Sequence, residues 1–201
     1  MDPTAPPRAN DDGARHRRRV RAMLWFGAYM LTLMGAGWTL FFLHLGVKSL
    51  ALMEAVMFLT GLGVGALTYT KRTRLAFYLL ILGAYTMVTG ISWVMDVPTL
   101  AAPRTTHLFL LVLGLAAQLF LRDEPSYFRL PVVGGCLLTC VFLASITTGM
   151  ESSYALPDST RVMGSWVNAG AALVGMFVLM QLIVSDLTDT SSLEADLRKG
   201  L

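Results

Sequence analysis

Six apolar runs dominate the sequence: residues 23–47, 50–70, 75–95, 105–121, 130–150 and 162–185. A bilayer core about 30 Å thick needs roughly 20 apolar residues per helix. These runs are of that order and too long for core strands. They are also continuously apolar, whereas the strands of a membrane barrel alternate. Backbone groups in lipid must bond internally, so helices are the expected spanning form. The chain has 201 residues, 55% of them hydrophobic and 14% charged, against about 25% charged in an ordinary soluble domain. So few charges cannot cover a soluble surface. That excludes a soluble enzyme, a nucleic-acid-binding domain and a disordered chain. The expected fold class is all-α: a polytopic membrane protein with six transmembrane helices.

Orientation follows from the basic residues. Arg8, Arg15, Arg17, Arg18, Arg19 and Arg21 precede the first run. Lys71, Arg72 and Arg74 follow the second, Arg122 and Arg129 the fourth, and Arg198 and Lys199 the sixth. Thirteen of the sixteen basic residues thus fall on one side, with Lys48, Arg104 and Arg161 on the other. The positive-inside rule then puts both termini in the cytoplasm. The cluster RHRRRVR at 15–21 is read as a topology determinant facing anionic lipid, not as a nucleic-acid site. Residues 1–21 are expected to form a disordered basic segment and not a cleavable signal peptide, because the apolar run behind it is too long and lacks a convincing cleavage site. Residues 22–186 form the membrane domain and residues 187–201 a cytoplasmic linker helix.

Small residues suggest how the helices pack. Gly61 and Gly65 form a GxxxG pair, and Ala171 and Gly175 a similar one. Such pairs let helix backbones approach closely, within one bundle or across a dimer. Trp25, Trp38, Trp93 and Trp166 fall mostly near span ends, as an aromatic belt does. Cys136 and Cys140 read as small buried apolar side chains. Pro131 is expected at the start of the fifth helix, where its missing N–H costs nothing.

Ionisable groups at membrane depth are expensive, so each is a functional candidate. His44, Glu54, Asp96, Arg104, His107, Glu151 and Arg161 all fall at one level, the outer third of the bundle. Trp93, Trp166 and Asn168 lie at the same level. The candidate ligand pocket is His44, Glu54, Trp93, Asp96, Arg104, His107, Trp166 and Asn168: apolar walls with a few polar anchors. The competing reading is a set of boundary ion pairs, Glu54 with Arg104 and Asp96 with Arg161. His44 and His107 could in principle ligate haem or a metal, but the signal is not specific, and no cofactor is expected. No hydrolase or transferase signature occurs, so no catalytic residue is named.

The carboxyl end carries a second clue. Ser191 and Glu194 form an SxxE capping box, which marks a new helix. Leu193, Leu197 and Leu201 then recur every four residues. The segment LEADLRKGL (193–201) resembles the opening helix of bacterial EAL domains, which hydrolyse cyclic di-GMP. Gly200 stands where Ala is commoner in those domains. A basic amino terminus, a multi-helix membrane region and a cytoplasmic helix also resemble the MASE-type sensor modules of bacterial cyclases and phosphodiesterases. Those modules share architecture more than motif, so no binding residue carries over. The MHYT motifs of a related sensor family are absent.

The resemblance implies a membrane sensor domain that detects a small apolar ligand or a membrane state. Its signal would pass through Asp186, Ser191, Leu193, Glu194 and Leu197 to a covalently linked cytoplasmic output domain. The expected partners are the lipid bilayer, a small molecule and a second copy of the chain, with no nucleic acid. A small transporter or channel, a membrane enzyme using His44, Glu54 and His107, and a scaffold protein without ligand are the alternatives. The topology has a direct check. A reporter enzyme active only outside the cytoplasm should be silent when fused after Arg72 and active when fused after Arg104; activity after Arg72 would overturn it.

Overall fold

The computed structural model describes residues 9–99, 102–122, 124–146 and 156–199; for 9–12, 15, 186, 187 and 189–199 it gives the backbone path. The helices are α1 (Ala9–His44), α2 (Lys48–Tyr69), α3 (Thr73–Val94), α4 (Phe109–Phe120), α5 (Ser126–Ser145) and α6 (Asp158–Lys199). A single 3-10 turn, Thr106–Leu108, leads into α4. Among the described residues there is no strand. Five helices are long and apolar enough to cross a membrane: α2, α3, α5, His16–His44 of α1 and Asp158–Ser185 of α6. The fourth expected span is shorter. Thr106–Phe120 extends about 24 Å at helical rise, less than a full hydrocarbon core.

Several boundaries differ from expectation. Helix α1 begins at Ala9, inside the segment expected to be disordered. Its arginines and alanines are good helix formers, and the membrane segment behind them supplies the nucleus. Helix α6 runs unbroken through Ser191 to Lys199. Ser191 and Glu194 therefore do not start a new helix. No Gly or Pro lies between Ser185 and Lys199, so nothing stops propagation. In α5 the N-cap is Pro125, and Pro131 lies inside the helix, six residues along. It therefore removes an internal hydrogen bond after all. Glu151, Gly200 and Leu201 lie outside the described residues.

Tight turns make the first three helices an antiparallel hairpin series. Gly46 ends α1 at φ +75°. The Val47 N–H donates to the Phe42 carbonyl at 2.9 Å and the Gly46 N–H to Leu43 at 3.1 Å, which is the Schellman closure. Lys71 closes α2 in the same way at φ 62°, with Arg72 N–H donating to Leu67 at 2.9 Å.

The polar ends sort the bundle into two poles. Arg74 lies 3.9 Å from Glu124, joining the α2–α3 and α4–α5 turns. Arg19 donates to the Ser185 hydroxyl at 3.1 Å, joining α1 to α6 at the same pole. The basic turns expected on one side therefore share one pole. Between the poles the packing is apolar. Met23, Leu24, Val64, Phe77 and Ala117 are buried together. Phe77 of α3 stacks on Phe120 of α4 with ring centroids 3.7 Å apart. Cys136 and Cys140 are unpaired and buried, packed with Val88, Leu110 and Leu113. Leu33, Leu82, Leu138 and Phe177 face outward, as a lipid-facing surface requires.

Helix α1 lies closest to α2, and the GxxxG pair serves this contact. A Cβ on Gly61 would stand 2.6 Å from the Thr32 backbone nitrogen and 2.9 Å from the Ala28 carbonyl. Gly65 faces Trp25 of α1, and Gly175 faces Val112 of α4. Gly61, Gly65 and Gly175 thus all face neighbours within the bundle. Gly61→Ala is expected to cost about 1–3 kcal/mol by overpacking. Gly37→Ala, with nothing within 4 Å of the added carbon, should instead gain about 0.5–1 kcal/mol of helix stability. Thermal unfolding of both variants in lipid nanodiscs checks the contrast; equal effects would contradict the close α1–α2 approach.

Candidate functional site

The connection from α3 to α4 is not a surface loop. Val97, Ala102, Arg104 and Thr105 are buried in it, so it plugs one pole of the bundle. Helix α4 is short because this plug occupies its first turns. Two side chains hold the plug. The Asp96 carboxylate accepts from the Thr105 N–H at 2.8 Å and the Thr106 N–H at 2.6 Å. Those are free donors at the start of the fourth helical segment, and a carboxylate there also suits the helix dipole. Arg104 turns the other way. Its Nε donates to the Asp96 carbonyl at 2.8 Å. Its Nη1 donates to the Leu143 carbonyl and, at 3.3 Å, to that of Ile146. These are carbonyls at the end of α5, which have no helical partner of their own. Burial pulls the Arg104 guanidinium below its ordinary pKa, and the Asp96 charge opposes that pull.

Helix α6 is bound to the same plug. The Ser165 hydroxyl lies 3.0 Å from the Pro103 carbonyl. The Asn168 amide donates to the Thr106 hydroxyl at 3.0 Å. The expected boundary pairs, Glu54 with Arg104 and Asp96 with Arg161, therefore give way to a different use of the charges. Asp96 and Arg104 spend their hydrogen bonds on backbone groups, because the short α4 and the end of α5 expose orphan donors and acceptors where water is scarce.

Two cavities adjoin this region. The larger, about 100 Å³, lies between α1, α2, α3, α4 and α6. Its wall is almost wholly apolar, with Glu54, Thr106 and Asn168 as the polar exceptions among the described residues. Glu54 is 2% exposed, and its Oε2 has no hydrogen-bond partner. The smaller cavity, about 40 Å³, is lined by Asp96, Arg161 and Ser165 beside the α6 start. Trp38, Met95 and Asn168 line both cavities, so they stand between them.

The eight candidate pocket residues do not form one site. Glu54 and Asn168 line the larger cavity, and Asp96 and Asn168 the smaller. Arg104 and His107 are buried in the plug region, and neither lines a described cavity. The His107 Nδ1 is buried without a hydrogen-bond partner. His44 is exposed at the end of α1. Trp93 is half exposed and stacks near Phe142 at 6.3 Å, while Trp166 is 77% exposed. Spacing along the chain gave these residues one depth but could not give them one azimuth around each helix.

Sequence reasoning missed most of the wall. Met23, Met30, Met34, Met57 and Met95 line the larger cavity. On α1 the lining positions 23, 26, 27, 30, 31, 34 and 38 recur at helical spacing and form one stripe. That stripe, with twelve methionines in the chain, was the available signal. No protein-family model, curated protein or solved structure matches the chain. The plug makes a stability prediction. Asp96→Ala should cost about 1–3 kcal/mol by leaving buried N–H groups unpaired, and Asp96→Asn less, since its amide oxygen still accepts. Thermal unfolding in nanodiscs measures this; identical losses would show that the charge, not the acceptor, holds the plug.

Proposed function

We propose that the chain is the membrane-embedded sensory part of a signalling protein, which binds a small, largely apolar ligand in the larger cavity and signals through α6. The observation that carries this reading is the course of α6. Asn168, Ala171, Gly175 and Leu179 line the cavity, and the same helix continues unbroken to Lys199. From Leu179 to Lys199 it reaches about 30 Å further. A ligand in the cavity thus touches the element that leaves the membrane. Arg19 bonds α6 to α1 at Ser185, which links the two helices where α6 runs on past the cavity. Only a ligand that binds one helix arrangement better than the other can drive such a change.

In this reading both termini are cytoplasmic, as the distribution of basic residues implies, and the membrane is a bacterial inner membrane, as the resemblance to bacterial sensor modules implies. The backbone of Asp186, Ser191, Leu193, Glu194 and Leu197 lies on the continuous helix, where those residues would pass the change onward. The likeness of residues 193–201 to an EAL opening helix supports a cyclic-di-GMP output domain as the recipient, as does the MASE-like architecture. Gly61, Gly65 and Gly175 face neighbours inside the bundle, so the Leu193/Leu197 stripe is the better seam for a homodimer. A carrier is the second reading, favoured by two cavities that meet at Trp38, Met95 and Asn168.

Filling the cavity from within tests the sensor reading without a known ligand. Ala171→Phe should move the far end of α6 by roughly 1–2 Å, the scale of helix shifts in switching proteins. Spin labels at Arg74 and Thr188, both exposed, on a background with Cys136 and Cys140 replaced by Ala, report the distance by pulsed resonance. An unchanged distance distribution would overturn coupling through α6.

A further inference from the structure

The larger cavity has a chemical character beyond its apolar walls. Its one ionisable lining residue among those described is an acid: Glu54, with no Lys, Arg or His on the wall. Glu54 is almost fully buried, and its Oε2 has no partner within the protein. A buried acceptor left unpaired is costly, and one carried by a cavity-lining side chain can find its partner in whatever fills the cavity. The Asn168 amide is already committed to Thr106. Trp38 and five methionines also line the cavity. Indole faces attract cations, and thioether sulfur is soft and polarisable. Each of these groups is electron-rich.

We infer that the larger cavity binds a lipophilic cation, an organic ammonium with an apolar body, whose charged head is received by Glu54 and whose body lies against Trp38 and the methionines. The inference rests on the sensor reading's assignment of this cavity as the ligand site and names the class of ligand. The Glu54 carboxylate serves as counter-ion, so the buried charges neutralise one another.

Three phenylalkyl probes of equal carbon number with three heads test the head-group chemistry: 4-phenylbutylamine, 4-phenylbutanol and 4-phenylbutyrate. Binding is measured by calorimetry on the full chain in nanodiscs, with empty nanodiscs subtracted for partition into lipid. The amine should bind roughly tenfold or more tightly than the alcohol, and the butyrate weakest, as the penalty for an unpaired or like buried charge requires. Glu54→Gln should remove the advantage of the amine, while the alcohol still binds because the Gln amide oxygen accepts its O–H; retained alcohol binding also shows that the variant is folded. Equal binding of amine and alcohol to the native chain, or an amine advantage that survives Glu54→Gln, overturns the cation inference and leaves the apolar ligand site standing. Tighter binding of the butyrate overturns it as well. Failure of all three probes to bind the native chain overturns both the inference and the ligand-site reading beneath it.

Discussion

The Asp96 carboxylate accepts two backbone N–H groups at the head of the fourth helical segment, and one pole of the bundle is organised around that contact. A helix shorter than the bilayer core starts at depth, where its first donors have no water. Asp96 supplies the acceptor from the end of α3. Arg104 then returns to the Asp96 carbonyl and reaches the last carbonyls of α5. One acid and one base therefore finish three helix termini. Ser165 and Asn168 extend the network to α6, so four helices meet at a single polar knot.

The knot leaves a cavity beneath it. Helices α1, α2 and α3 pack closely through short turns, and α4 and α5 pack against each other. Helix α6 leans on α4 and the 3-10 turn and touches α1 sparsely. Side chains do not fill the space between α1 and α6, and Glu54 is buried at its edge. The same helix that is loosest in the bundle is also the longest. Loose packing beside a cavity makes a small displacement cheap, and helical continuity carries it to a distance.

Much of this architecture was legible in the sequence. The runs at 50–70 and 75–95 match α2 and α3 to within about two residues, because a bilayer-length apolar run leaves the backbone no other way to bond. The shared depth of Glu54, Asp96, Arg104, His107 and Asn168 was legible too. Their partners were not. Charge complementarity suggested Asp96 with Arg161, whereas the deciding need was that of unpaired backbone groups. The SxxE at Ser191 misled for a related reason: a capping box has meaning where the preceding chain is not helical, and here it is.

The sequence by itself determined the class of the protein, its helical spans and the segregation of its basic turns, because these follow from solvent: lipid demands internal hydrogen bonds and water demands charge. Tertiary structure alone decided which way each helix turns its faces. That choice sent Glu54 and the methionine stripe to a cavity, sent Trp166 outward, and set Asp96 and Arg104 to closing helix ends. The reason is geometric. Depth is additive along one helix and can be read from a string, whereas azimuth depends on neighbours that the string brings from more than a hundred residues away.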